Sequence, residues 1–364
     1  MAKYIYQYDN WPHFNWNEQE IQVTLGKIRH LQGKFLGQMS ALGFSLKEET
    51  LLTTLTLNIL KSSEIEGEIL NYEQVRSSIA RRLGIEYAGM IYSDRNVDGV
   101  VEMMLDATQN YNQRLDEERL LGWHEALFPT GWSGNHKIDV SCYRTGEMQV
   151  VSGAMGKEKV HYQAPPPAQV KSEMDTFLQW FNQDVPIDPV LKSAIAHFWF
   201  VIIHPFDDGN GRIARAISDL TLARSDDTSQ RYYSLSSQIM LERKVYYEIL
   251  QKTQFSNGDI TEWLDWFLNC LYRSLLSTED IFQNVLQKAD FWDKHKETAF
   301  NARQRLMLNK LFDGFDGKLT SSRWSKIVKC STDTALRDIQ DLMNKNILRR
   351  ESAGGRSTNY ELVF

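Results

Sequence analysis

Between Pro189 and Ile203 the chain reads PVLKSAIAHFWFVII, a helical stretch that is apolar almost all round. Such a helix has no face to give to water, so it is stable only at the centre of a domain with other elements packed around it. The longest purely apolar stretch within it, Phe198 to Ile203, is far too short to cross a membrane. The remainder of the chain supplies helices to surround it. Only 8 Pro and 21 Gly occur in 364 residues, too few for a turn-dense β-sandwich. An apolar fraction of 42% excludes a disordered chain, and the length suits two or three domains.

Helical spacing is predicted through Ile21, Leu25, Ile28, Leu31, Phe35 and Met39, then over Glu48 to Leu60. Its continuation, Ser62 to Leu70, is expected as a short helix ending at Gly67. Further helices are predicted over Tyr72–Leu83, Asp98–Leu115, Asp116–Phe128 and Gln169–Phe181. Two stretches break this pattern. Tyr4 to Phe14 is an aromatic-rich strap expected to pack on the helical body. Tyr143 to Tyr162 has short alternating apolar runs around Gly153 and Gly156 and closes at Pro165–Pro167, which predicts a β-hairpin.

The net charge of −6 speaks against a nucleic-acid or membrane coat, but it averages two unlike surfaces. Arg303 to Phe364 holds twelve Lys or Arg against seven Asp or Glu, a local +5 on an otherwise acidic chain. Three helices are predicted there, Arg303–Phe312, Thr320–Lys329 and Thr332–Asn344, followed by a strand, a Gly-Gly turn and a strand. Cys142, Cys270 and Cys330 are an odd number at wide spacing, with neither a disulfide framework nor CxxC spacing. A reducing, cytoplasmic setting is the expectation, since the first residues lack the apolar run of a secretion signal and nothing points to a membrane.

The chemistry-bearing segment follows the buried helix directly: HPFDDGNGRIAR, His204 to Arg215. It reads as a helix end, a turn with Gly209 and Gly211, and a new helix from Asn210. Free backbone N–H groups at a helix start form an anion site. Arg212 and Arg215, three apart, aim two guanidinium forks to one side, a geometry suited to phosphate oxygens. Asp208 offers a hard oxygen such as Mg²⁺ takes beside phosphates, and His204 can take a proton near neutral pH. A plain helix–turn–helix corner is the alternative, but H-x-F-x-[D/E]-G-N-G-R-x-x-R fixes eight positions. His124 with Glu125 lacks the second histidine of an HExxH zinc motif and reads as structural.

That motif resembles the signature of the Fic family of protein adenylyltransferases at every position. The resemblance implies a mainly α-helical bundle with a β-hairpin flap and, in long members, a C-terminal winged helix. Residues 1–95 would be an N-terminal helical region, 96–285 the catalytic core and 300–364 the winged helix. The implied activity is transfer of AMP from ATP to a Ser, Thr or Tyr hydroxyl of a target protein, with pyrophosphate leaving. By similarity His204 is the general base, Asp208 holds Mg²⁺, Asn210 bonds the α-phosphate, and the N–H groups of Gly209 to Gly211 form the anion hole. Arg212 assists the phosphates, Arg215 grips the γ-phosphate, and Phe206 is a buried anchor. The hairpin corresponds to the flap, roughly Met148 to His161, that aligns the target segment. Tyr232, Tyr233, Tyr246 and Tyr247 are aromatic candidates for the adenine pocket.

The segment SSEIEG also resembles the family's inhibitory signature [S/T]-x-x-x-E-[G/N] through Ser62, Glu66 and Gly67, on a helix of about 60–70. It implies self-inhibition in which Glu66 pairs with Arg215. As a bare pattern, Glu66 is more often a solvated or capping glutamate; its place before a Fic-like motif reverses that reading. Removal of AMP, transfer of another phosphate group, and nucleotide sensing by a winged-helix transcriptional regulator are the alternatives. The implied partners are ATP, an unidentified target protein, the chain itself as a substrate and, from family habit, a second copy. DNA would be met by Arg337 with Arg349, Arg350 and Arg356. Asp333, Asp338 and Asp341 on the same helix would repel phosphate, which favours protein contacts.

Overall fold

The structure is a computed structural model, and it describes residues 3–40, 44–86, 89–152, 159–312, 315, 317–351 and 358–363. Two compact units divide the chain: residues 1–86 with 90–279, and residues 87–89 with 280–364. The fold is mainly helical.

In the first unit, α1 (Glu18–Ser40), α2 (Phe44–Ile65), α3 (Tyr72–Leu83), α4 (Arg95–Gln109) and α5 (Glu117–Leu127) lead to two small hairpins. The first hairpin pairs β1 (Trp132–Ser133) with β2 (His136–Lys137). The second pairs β3 (Gln149–Ser152) with β4 (Lys159–Gln163), antiparallel, with Gln149 opposite Gln163 and a bulge between Val150 and Val151. There follow α6 (Pro167–Asn182), α7 (Pro189–Ile203), α8 (Asn210–Asp226), α9 (Leu235–Leu241), α10 (Arg243–Thr253) and, as far as Glu279, α11 (Thr261–Lys294), whose remainder belongs to the second unit.

Asp188 caps the start of α7 by accepting from Val190 N at 2.8 Å, and Pro189 occupies the first turn, where its missing N–H costs nothing. Along α7, Ile195, Phe198 and Ile202 are buried against Ile21, Ile28 and Phe35 of α1 and Trp263 and Phe267 of α11. The all-round apolar sequence therefore does enclose itself as its composition requires. Helix α8 packs along α7 and also meets α2, α4 and α5.

Helix α2 differs from its sequence reading. The short helix expected over Ser62 to Leu70 is the last turn of a single helix that runs to Ile65, with both serines buried. Its end is a turn in which Glu66 N and Glu68 N donate to the carbonyl of Ser63 at 3.0 and 3.1 Å, and Gly67 takes the left-handed conformation at φ 86°. Glu66 thus projects from a helix end. The aromatic strap begins with a short 3₁₀ turn at Ile5–Gln7, buries Ile5, and is tied down by Ile5 N to Gln254 O at 2.7 Å.

The second unit holds α12 (Ala302–Phe312), α13 (Ser321–Ile327), α14 (Thr332–Asn344), β5 (Leu348–Arg350) and β6 (Tyr360–Leu362). Met307, Leu308, Trp324, Ile339, Leu342 and Tyr360 form its core. Asp338 is buried and bound by Arg303 at 2.7 Å, while Asp341 is bound by Lys345 at 2.5 Å. Of the three aspartates expected to repel phosphate, two are therefore neutralised inside the unit. Gly153 and Gly156 of the expected flap, the Gly-Gly turn of the tail hairpin and Arg356 lie outside the described residues. Among the described residues no helix is long and apolar enough to cross a membrane.

Candidate active site

Helix α7 ends because His204 adopts a left-handed conformation, φ 51° and ψ 59°, and Pro205 follows. A non-glycine residue there costs on the order of 1–2 kcal/mol, so the surroundings must hold it. Arg144, at the foot of the β3–β4 hairpin, supplies much of that support. Its Nε donates to His204 O at 2.8 Å, Nη1 to Gly146 O at 2.9 Å and Nη2 to Pro165 O at 2.6 Å, and its own N–H bonds Pro205 O at 2.9 Å. One buried guanidinium thus joins both flanks of the hairpin to the histidine turn.

The His204 ring is half-buried, with Nδ1 3.2 Å from the carbonyl of Val201. A carbonyl only accepts, so Nδ1 carries the proton and Nε2 presents its lone pair. Burial, with Arg144 nearby, lowers the imidazole pKa below its ordinary value and favours the neutral base.

The loop after His204 is fixed from inside. Phe206 is fully buried and stacks on His124 with ring centroids 4.2 Å apart. The Asn210 carboxamide reaches back to both backbone groups of Phe206, accepting from N at 3.0 Å and donating to O at 2.8 Å. Gly209 is left-handed at φ 82°, and a Cβ there would lie 2.9 Å from the Phe128 ring. Asp208 accepts from Gly209 N at 2.6 Å, and its second oxygen accepts from the hydroxyl of Ser133 on β1. Among the described residues no group of three or more His, Cys, Asp or Glu gathers as a metal site. A single carboxylate whose oxygens each keep a lone pair nevertheless suits Mg²⁺, which takes one or two carboxylates and completes its shell with phosphates and water.

Arg212 and Arg215 lie on the first turns of α8, where two carboxylates meet them. Arg215 Nη2 is 2.7 Å from Glu66 Oε1 and 2.8 Å from Ser62 O, and Nε is 2.9 Å from Ser62 Oγ. Arg215 thereby caps a free carbonyl at the end of α2. The side chain of Arg215 is 1% exposed and that of Glu66 29%. Burial works against the Arg215 charge, but Glu66 beside it leaves the guanidinium more firmly protonated than usual. Gly211 makes room for this pair, since a Cβ there would run into Glu66 Oε1. Arg212 Nη1 is 2.7 Å from Glu68 Oε2, and its guanidinium lies 4.9 Å over the Phe128 ring. Arg212 Nε and Arg215 Nη1 are buried with no hydrogen-bond partner, at about 1–3 kcal/mol each.

The structure therefore gathers Ser62, Glu66, Gly67, His204, Asp208, Gly209, Asn210, Gly211, Arg212 and Arg215 around one helix start. Of the candidate tyrosines, Tyr246 and Tyr247 lie close enough to Arg215 and Glu66 to act on their charges, with Tyr246 also 2.9 Å from His197 Nε2 and Tyr247 keeping an exposed face beside Arg243. Tyr233 instead bonds Asp226 and Tyr232 bonds Gln230. Sequence reasoning missed Glu68, Arg144 and Ser133. A signal for Ser133 existed, because the Gly134-Asn135 pair after Trp132 and Ser133 is a hairpin turn type.

Comparison with known proteins agrees with this geometry. The model described as the Fic/DOC family matches residues 114–222, and a domain of unknown function, DUF4172, matches residues 4–85. A probable protein adenylyltransferase of Aquifex aeolicus is 27% identical over 40% of this chain and 47% of its own length. The protein adenylyltransferase Fic of Aedes aegypti is 26% identical over 60% of this chain and 40% of its own. The chain thus spans less than half the length of these curated relatives. The crystal structure of a Fic family protein from Desulfovibrio desulfuricans superposes with a TM-score of 0.56 at 22% identity, covering 97% of this chain and 98% of that one, and so shares its fold.

Proposed function

We propose that this chain, whose residues 114–222 match the Fic/DOC family, is a protein adenylyltransferase held inactive by its own Glu66. The observation that carries the proposal is the paired site at the start of α8. Two buried arginines, short of hydrogen-bond partners, face an anion-binding helix end that a carboxylate of the same chain now fills.

In the reaction, His204 Nε2 takes the proton of a Ser, Thr or Tyr hydroxyl on the target, whose oxygen bonds to the α-phosphorus of ATP as pyrophosphate leaves. The backbone N–H groups from Gly209 to Gly211 meet the charge that rearranges on the α-phosphate oxygens. Asn210 holds the loop through both backbone groups of Phe206 and would stand beside that phosphate. Arg215 holds the γ-phosphate and Arg212 the phosphates nearer the reacting centre. Asp208, oriented by Ser133 and Gly209 N, would hold Mg²⁺, which would supply positive charge to the phosphates. The β3–β4 hairpin, with Val150, Val151 and Val160 exposed, offers an edge to an extended target segment. ATP and a hydroxyl-bearing protein are thus the substrates, and the chain itself is an available target.

The inhibited state follows from competition for one guanidinium. While Glu66 holds Arg215, the γ-phosphate has no clamp and a second negative group stands where it belongs. The C-terminal unit, with its three helices and two-stranded hairpin, we read as a winged helix serving protein or DNA contacts.

The experiment uses ATP labelled at the α-phosphorus. The Glu66→Gly chain should take up label on itself, and adding His204→Ala should lower uptake by about 100-fold or more. Equal uptake with and without His204, or uptake from γ-labelled ATP instead, would reject the reaction as written.

A further inference from the structure

The inhibitory signature contains one glutamate, but the turn that carries it presents two. Glu66 and Glu68 flank left-handed Gly67, and both of their N–H groups are bound to the carbonyl of Ser63. Gly67 N adds a bond to Glu64 O at 3.0 Å, and Arg243 Nε holds Ile65 O at 2.8 Å. The backbone of this turn is therefore fixed as a unit. From it, Glu66 reaches Arg215 and Glu68 reaches Arg212, so both arginines of the motif are occupied at once.

We propose that Glu68 is a second inhibitory carboxylate, which withholds Arg212 from nucleotide phosphates while Glu66 withholds Arg215. The inference rests on the reading of this site as an ATP site and names its regulation more fully. Three observations support it. The Glu68–Arg212 contact is a 2.7 Å ion pair, as short as that of Glu66 with Arg215. Arg212 is a buried cation, 6% exposed, clamped between Glu68 and the Phe128 ring, so its charge has few alternatives. Its Nε has no partner in this arrangement, which leaves a donor that a phosphate oxygen would satisfy.

The two carboxylates are not equivalent. Glu68 is 37% exposed and accepts a single bond from Arg212, whereas Arg215 is also bound twice to Ser62. Glu68 is accordingly the weaker and more salt-sensitive lock. Because a common turn carries both, a nucleotide whose phosphates reach both arginines must displace both carboxylates. The nucleotide then gains two arginines rather than one, which makes release more abrupt than a single pair would allow.

ATP affinity, measured by titration calorimetry with Mg²⁺, tests this on the full chain in four forms: unaltered, Glu68→Gln, Glu66→Gly, and the double variant. Glu68→Gln should tighten ATP binding about two- to five-fold on either background at low salt, and the gain should shrink toward none near 0.5 M salt. Glu68→Ala, which also removes the hydrogen bond, should do at least as much. If Glu66→Gly tightens ATP binding and neither Glu68 variant adds to it, the second lock is refuted while the first stands. If Glu66→Gly itself leaves ATP binding unchanged, the parent reading of the site falls, and this inference with it.

Discussion

Helix α8 carries two arginine–carboxylate clusters, one at each end, and they are built differently. Toward its C-terminal end, Arg231 lies 3.1 Å from both Asp219 and Asp226, and all three side chains are almost wholly sealed, between 2% and 4% exposed. Asn58 of α2 also bonds Asp219, and Gln32 of α1 and Tyr233 bond Asp226. The cluster ties α1, α2 and α8 together with its acceptors shared among several donors. At the N-terminal end, Arg212 and Arg215 are as deeply buried, and both clusters leave guanidinium nitrogens without partners, but here the carboxylates stand partly in water. A buried pair whose carboxylates are themselves sealed from water is architecture, since removing either partner strands a charge. A buried cation met by a half-exposed anion is exchangeable, since the departing carboxylate returns to solvent and a phosphate takes its place.

Stability should separate the two ends most sharply. Asp219→Ala leaves Arg231 short of a charge partner and should cost about 3–5 kcal/mol in denaturant unfolding. Glu66→Gly should cost only about 1–2 kcal/mol, because Arg215 keeps its bonds to Ser62. Equal losses would mean that the Glu66 pair is architecture as well. A smaller effect is expected in pH dependence. The base must be neutral, so kcat/KM of the Glu66→Gly chain should fall as pH drops through the His204 pKa. Burial lowers that pKa, which sets the midpoint of the acid limb below 6.5; a midpoint at 7 or above would contradict the burial argument.

These contrasts also mark what was legible in the amino-acid order. The buried helix, the anion turn and Glu66 could be read because each is a local pattern: an apolar run, glycines at fixed offsets, a glutamate before a glycine. Glu68 and Arg212 are 144 residues apart, and nothing local distinguishes Glu68 from a solvated glutamate. Arg144 likewise looks like an ordinary arginine at the foot of a hairpin until the fold brings it to His204 O, 60 residues away. That one helix runs unbroken through Ser62 was hidden for a related reason. Serines weaken a helix locally, but Arg215 binds both the hydroxyl and the carbonyl of Ser62, and that tertiary contact carries α2 through to Ile65.

The central claim is that Glu66 stands in the place of a phosphate. Self-labelling from α-labelled ATP, compared between the unaltered chain and Glu66→Gly at equal concentration, tests it most directly. The account predicts an increase of about tenfold or more, equivalent to about 1.4 kcal/mol released at the phosphate clamp. Equal labelling of the two chains would contradict it.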